Sequence, residues 1–286
     1  VILLSVFAVS FARSQNMVKE EITEGKEFWF GIPLCWLDPV SPDGIRGEGP
    51  ICIWLSSKVD TKGYLEDLET GSRKNFLIRA NQITQVIFGD VLMHKPDDNE
   101  QVRNKGIHIK AEDPISVAVY ISYSWTGEAF RVIPVEWLGK KYVTANLYLD
   151  KVGNQYYRPP QILITATEDN TTIRYRPTAP TVNLEAGQLS QPIKLNKGQT
   201  FLILGRMEEG RVQDNTSDLT GTYIEASKPI SVLSGHTKGA FPRYQFTFLG
   251  RNGSFMRNMM IEMIWPIEML GTQYVSVPVK YNDRPR

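Results

Sequence analysis

The chain has 286 residues, 32 basic and 31 acidic side chains, a formal net charge of +1, and 42% hydrophobic residues. That is enough apolar material for one full core or two smaller ones, which excludes a disordered polymer. With charge so balanced and no run of Lys or Arg, no field exists to hold nucleic acid or an anionic membrane surface. Two cysteines, Cys35 and Cys52, exclude a disulfide-stapled scaffold and lack CxxC spacing.

At the start, the apolar run Val1 to Phe11 stops at Ala12-Arg13-Ser14, with small residues ahead of a potential cut. This predicts a signal-peptide remnant over residues 1–14, hence export to the cell surface or medium; the competing reading is a buried strand. No segment reaches the roughly 20 apolar residues a membrane-spanning helix needs, so no membrane span is expected.

From Glu24 onward, short alternating or apolar runs bounded by Gly, Pro, Asn and Asp replace amphipathic helical patterns. Ile51 to Leu55, Phe76 to Arg79, Gln85 to Phe88 and Ile107 to Ala111 read as strands. Further along, Ile115 to Ile121, Tyr142 to Leu149, Ile162 to Ala166, Thr171 to Tyr175, Phe201 to Leu204, Tyr223 to Ala226, Ile230 to Ser234 and Tyr274 to Val279 do the same. In Ile115, Val117, Val119 and Ile121 every second residue is apolar, which puts one face on a core and favours antiparallel sheets.

The chain also repeats itself. Ile107 to Val117 (IHIKAEDPISV) matches Tyr223 to Val232 (YIEASKPISV), and Pro134 to Val143 (PVEWLGKKYV) matches Pro266 to Val275 (PIEMLGTQYV). Weaker pairs, Ile51 with Ile162 and Phe76 with Ile193, fall in the same order. In the first motif a proline after two polar residues makes a hairpin or a strand-to-strand corner. In the second, Gly139 or Gly271 is placed to take a positive φ. The fold class expected is all-β, two tandem antiparallel β-sandwich units over residues 24–159 and 160–286, joined at Tyr156 to Pro160. Arg284-Pro285-Arg286 resembles the Arg158-Pro159-Pro160 ahead of the second unit, so a longer protein is expected to continue there.

Catalytic grammar is thin. The three histidines are His94, His108 and His236, and no GxSxG, HExxH, GxxxxGK[ST] or GxGxxG pattern occurs. The glycines of Gly44 to Gly49 read as a flexible loop. His108, flanked by Ile107 and Ile109, is expected to face solvent, and His94 to sit in a loop. A glycan-cleaving enzyme would need two carboxyl groups about 5 to 9.5 Å apart; Glu128, Glu136 and Glu268 are its candidates, and their relative placement is open. The reading is no enzyme and no cofactor.

For binding, His236 in LSGHTKGAFPRY follows a strand at a sheet end, near Lys238 and Arg243, and loops at sheet ends carry function. Among Trp29, Trp36, Trp54, Trp125, Trp137 and Trp265, most sit in apolar strands and read as core; Trp125, in a loop, is the exposed candidate for stacking. Asp97 to Glu100, Glu168 to Asn170 and Asp214-Asn215 resemble oxygen-rich loops, yet none has EF-hand spacing and Asx residues favour turns, so no metal is assigned. Asn170, Asn215 and Asn252 begin glycosylation sequons. Cys35 and Cys52 either pair, worth about 3 kcal/mol for so short a loop, or stay thiols; the reading leans to no bond.

The order GKEFWFGIP, IKAEDPISVAVY, PVEWLGKKYV, ATEDNTTIRYRP, LNKGQTFLI, DLTGTYIEASKPISVLSGH and PIEMLGTQYV resembles the IgGFc-binding protein N-terminal domain family. The resemblance implies a secreted or cell-surface binding and adhesion module whose partner is an extracellular protein or glycan. The runner-up is a structural block that packs on neighbouring copies in a surface assembly. Many relatives place a cysteine soon after SGH, where this chain has Thr237-Lys238-Gly239, and that departure implies a bacterial surface protein.

Overall fold

A computed structural model describes residues 23–35, 51–88, 93–123, 126–146, 159–206, 217–239, 247–248, 251–252 and 258–272. The signal-like segment 1–14, Trp36, the 44–49 loop, Trp125, the join at 156–158, Asp214-Asn215, Arg243, and the run 274–286 lie outside them.

The described residues contain strands and short 3-10 turns and no α-helix. The first strands are β1 (Gly25–Gly31), β2 (Ile51–Ser56), β3 (Thr61–Asp67), β4 (Arg73–Ile78) and β5 (Ile83–Phe88). There follow β6 (Val102–Arg103), β7 (Gly106–Tyr123), β8 (Thr126–Val132) and β9 (Gly139–Val143). The remainder are β10 (Pro160–Ala166), β11 (Thr171–Arg176), β12 (Ile193–Leu195), β13 (Thr200–Leu204), β14 (Tyr223–Gly239), β15 (Thr247–Phe248), β16 (Arg251–Asn252) and β17 (Asn258–Met263). They form a seven-stranded and an eight-stranded antiparallel sheet, plus the small β15–β16 pair. The expectation of an all-β protein with two β-sandwich units is met.

Each sheet is organised by one long strand. The first half of β7 pairs with β1 and β3, and its second half with β2 and β8. In the same way β14 pairs first with β9 and β11, then with β10 and β17. The changeover falls beside Pro114 and Pro229, so the repeated motif is a corner within a continuous strand and not a hairpin. Proline suits that place because it lacks the N–H a flat ladder would demand. Bending lets one strand serve both layers of a sandwich, and Leu65, Phe76 and Ile109 from one layer share a core with Ile53, Val119 and Phe130 from the other.

The two plans correspond strand by strand. Ile109 faces Phe28, and its counterpart Ile224 faces Tyr142; Gly63 faces Phe76, and Ile173 faces Ile193. The Phe76 to Ile193 match is therefore structural. The Ile51 to Ile162 match is out of register by two residues: Leu55 opposite Val117 corresponds to Ile164 opposite Val232, which makes Ile53 the partner of Ile162. Although they precede residue 160, β6 and β9 are strands of the second sheet.

The glycine at the start of β1 or β9 is explained by crowding. A Cβ on Gly25 would overlap Pro134 and Glu136, and one on Gly139 would overlap Pro266 and Glu268, the same two residues of the repeated turn. Gly139 is not in the positive-φ region, so close approach, not backbone handedness, demands glycine there.

In the second sheet β10 and β13 are buried on both faces. Ile162, Ile164, Phe201, Ile203 and Val232 point into the second core, while Leu163, Leu202, Leu204, Leu233 and Met263 join the first. This explains the unbroken apolar run Ile162 to Ile164: strands covered on two sides lose their alternation. Gln161 bridges the units, its amide taking the Leu34 N–H at 2.9 Å and donating to the Leu34 carbonyl at 2.7 Å. Residues 99–103 seal the edge of β13 through β6 and through a bond from Glu100 N–H to the Leu202 carbonyl.

Candidate binding face

The first unit carries the counterpart of that covered face, and there it is open. In β2, Ile51, Ile53 and Leu55 fill the core, so the pleat turns Cys52 and Trp54 outward. In β7 the outward set is Ser116, Ala118 and Tyr120, and in the edge strand β5 it includes Gln85 and Ile87. Trp54 is 37% exposed and Ile87 53%. Trp54 and Tyr120 stack with ring centroids 5.4 Å apart and planes 14° from parallel. Gln85 Nε2 donates to Cys52 Sγ at 3.0 Å, and Lys74 donates to the Ile87 carbonyl at 2.8 Å while its ammonium lies 4.2 Å from the centre of the Phe88 ring. The edge strand is thereby held, and the face is a firm, mostly apolar surface with a polar rim.

Of the expected site residues, two are described. His236 and Lys238 lie within β14, not in a loop, and are buried at 2% and 6% exposure. His236 Nδ1 accepts the Lys238 backbone N–H at 3.1 Å, and Thr237 between them donates to the Pro159 carbonyl. Trp125 and Arg243 fall outside the described residues. Trp54, expected in the core, faces out. His108, expected to face solvent, is buried and stacks on Trp29 at 4.1 Å. His94 lies in a loop as expected, but buried at 1% exposure between the units: its Nδ1 lies 2.7 Å from the Ile32 carbonyl and its Nε2 2.9 Å from Thr200 Oγ1.

Charged groups at the unit contact are internally engaged. Glu27 Oε1 accepts from Trp29 Nε1 at 3.1 Å, lies 3.0 Å from His108 Nε2, and lies 3.5 Å from Lys197 Nζ. Burial alone would raise the Glu27 pKa, but Trp29, Lys197 and His108 outweigh it and leave it below the usual carboxylate value. Burial lowers the His108 pKa, against the pull of Glu27. Asp98 pairs with Lys105 at 3.1 Å and Arg103 at 2.7 Å, and Glu100 accepts from Tyr175, Thr181 and Asn183, so these acidic residues serve the fold. Among the described residues no group of three or more His, Cys, Asp or Glu is arranged to hold a metal ion. Glu136 and Glu268, carried as candidate acids, occupy the repeated turns against Gly25 and Gly139. Burial raises the pKa of Glu128, and of Glu262, which the nearby Glu128 charge raises further. Cys35 and Cys52 are both free thiols.

A family model described as IgGFc binding protein matches residues 128–286, more than half the chain. The chain belongs to the IgGFc-binding protein family. The matched span begins in β8 and contains the whole second half of the duplication, while Trp54 and Tyr120 lie ahead of it. No curated protein and no solved structure matches the chain. Among the described residues no helix is long and apolar enough to cross a membrane.

The aromatic face was legible in principle. In ICIWLS the alternation that buries Ile51, Ile53 and Leu55 assigns Trp54 to the opposite side, and a Trp there is a signal for contact with something other than the core.

Proposed function

We propose that the chain is an exported, non-enzymatic adhesion module that takes a protein partner on the outer face of its first unit. The observation that carries this reading is the Trp54–Tyr120 stack beside Ile87, exposed on strands instead of a mobile loop. Large aromatic side chains held rigidly lose little entropy on binding and dominate interface energies. Membership of a family described as IgGFc binding protein supports a protein partner over other classes. The Trp54 and Tyr120 rings already stack on each other, which leaves less open ring face for a sugar and disfavours glycan recognition. The buried His236 and Lys238 support β14 and do not touch the partner.

The test is a surface-binding assay of the full chain against immunoglobulin Fc, extracellular-matrix proteins and a glycan array, with the Trp54→Ala and Tyr120→Ala variants alongside. Binding to a protein, weakened at least tenfold by Trp54→Ala, is the expected result. Partner binding indifferent to both variants, or turnover of a glycan, would overturn the reading.

A further inference from the structure

We infer that the outer face of the first unit is the acceptor for the second unit of another copy of this chain, docked head to tail as the two units are docked within one chain. The inference rests on reading that face as the interaction surface and names its occupant.

The strand registers align Trp54 with Leu163, Ile87 with Leu204, Gln85 with Leu202, and Ala118 with Leu233. Every one of those second-unit leucines is buried against the first unit. The chain thus shows what covers this sheet face when a neighbour of its own kind is present. Among the described residues the same backbone face of the first unit has no such neighbour, yet Trp54 and Ile87 keep large apolar groups at positions whose counterparts are buried. Grouped on one face, they form an apolar patch of the kind that marks a contact surface.

The covering surface also has its counterpart. Within the chain, Ile133, just past the end of β8, meets β17 of the second sheet, its N–H 3.2 Å from Met263 Sδ. Trp265 stands one residue ahead of Pro266 as Ile133 stands one ahead of Pro134; it is half-buried and packs in part against the first core, so its remaining open part is what the second unit presents to a neighbour. Because acceptor and donor surfaces are different patches, the contact is heterologous and leaves a free acceptor and a free donor on each added copy. Gln85 and Arg131 replace Leu202 and Met263 on the acceptor, which makes the contact between copies wetter and weaker than the one within a chain.

Sedimentation velocity of the full chain from about 1 µM to 1 mM tests this, the range in which a weak interface of this kind is populated. Open-ended, concentration-dependent association is expected. Trp54→Glu, outside the core, should keep a cooperative unfolding transition, its midpoint lowered only by the lost Tyr120 stack, and weaken self-association more than tenfold. Leu77→Lys, exposed on β4 away from the face, should leave it unchanged. Mixed with wild type, Trp54→Glu copies retain a donor surface and should cap and shorten the assemblies. A chain monomeric throughout, or Trp54→Glu copies excluded from mixtures, would overturn the inference. A monomeric chain whose binding to a different protein is lost in Trp54→Glu would leave the functional reading standing; loss of neither would remove both.

Discussion

His94 should make the contact between the two units sensitive to acid. Its Nδ1–H donates to the Ile32 carbonyl, so in the neutral ring Nε2 carries no proton and accepts from the Thr200 hydroxyl. Protonation is sterically possible, since Thr200 Oγ1 can turn its hydrogen to the Arg103 carbonyl at 3.3 Å. The cost is electrostatic. Burial lowers the pKa from 6.5 to about 4; the Ile32 carbonyl and Asp98 oppose the shift, and Lys105 and Arg103 add to it. As pH falls the unfolded chain takes up this proton first, so the stabilisation is complete above pH 6.5 and is withdrawn on descent toward pH 4. At 1.36 kcal/mol per pKa unit the full withdrawal is about 3 kcal/mol.

Urea unfolding at pH 7, 5.5 and 4, run on wild type and on His94→Gln, isolates this group. His108 shifts in the same direction, and Glu128 and Glu262, whose pKa values are raised, act with the opposite sign; all three are common to both proteins and cancel in the difference. Asp98, held low, acts only further down, below about 3.8. Wild type should lose about 3 kcal/mol more than the variant between pH 7 and pH 4. Parallel pH profiles would refute the assignment of a neutral, buried His94.

Three other outcomes follow from packing and polarity. Gly25→Ala and Gly139→Ala should each cost roughly 1–3 kcal/mol in thermal or urea unfolding, because each new methyl overlaps the equivalent Pro134 or Pro266. Gln161→Leu, which keeps the volume but strands the Leu34 N–H and carbonyl between the units, should cost about 3 kcal/mol, measured by the same unfolding. Burial pushes the Cys35 thiol up to about 12, Lys238 opposing; peptide mapping after iodoacetamide at pH 8 should find Cys35 unmodified in the folded chain and alkylated in urea.

The repeat was the most readable feature because its landmarks are residues whose geometry is hard to replace. Proline beside Ile115 and Ile230, and glycine under Pro134 and Pro266, persist where side chains on the strands have drifted. The strand cores were readable for the same reason that Ile115, Val117, Val119 and Ile121 alternate: one wet face leaves a period of two. The interior of the second sheet defeated that logic, since a face covered by another unit reads the same as a face covered by its own sandwich. His108 looked solvent-facing because alternation assigns a side and cannot say what lies on that side; here it is Trp29, with Glu27 and Lys197 around it. His236 looked like a loop residue because Ser234-Gly235 resembles a turn, whereas β14 runs through to Gly239 and pairs there with β17.

The duplication has left two copies of one backbone plan with different water exposure, and this sets an order of dependence. Stripped of residues 1–127, the matched family span would keep only β8 and the later strands and would open Leu163, Leu202, Leu204 and Leu233 to solvent, together with the edge of β13 that β6 now seals. A contiguous apolar sheet face with an open edge is beyond what a soluble monomer tolerates. On the corresponding face the first unit exposes Trp54, Ile83 and Ile87 and spaces them with Gln85 and Arg131. The second unit is therefore built to be covered and the first to tolerate being last in a row. A fragment of residues 128–286 produced alone should aggregate or sediment as large assemblies, while the whole chain at the same low micromolar concentration should not; a monodisperse, monomeric fragment would show that the interface between the units is dispensable.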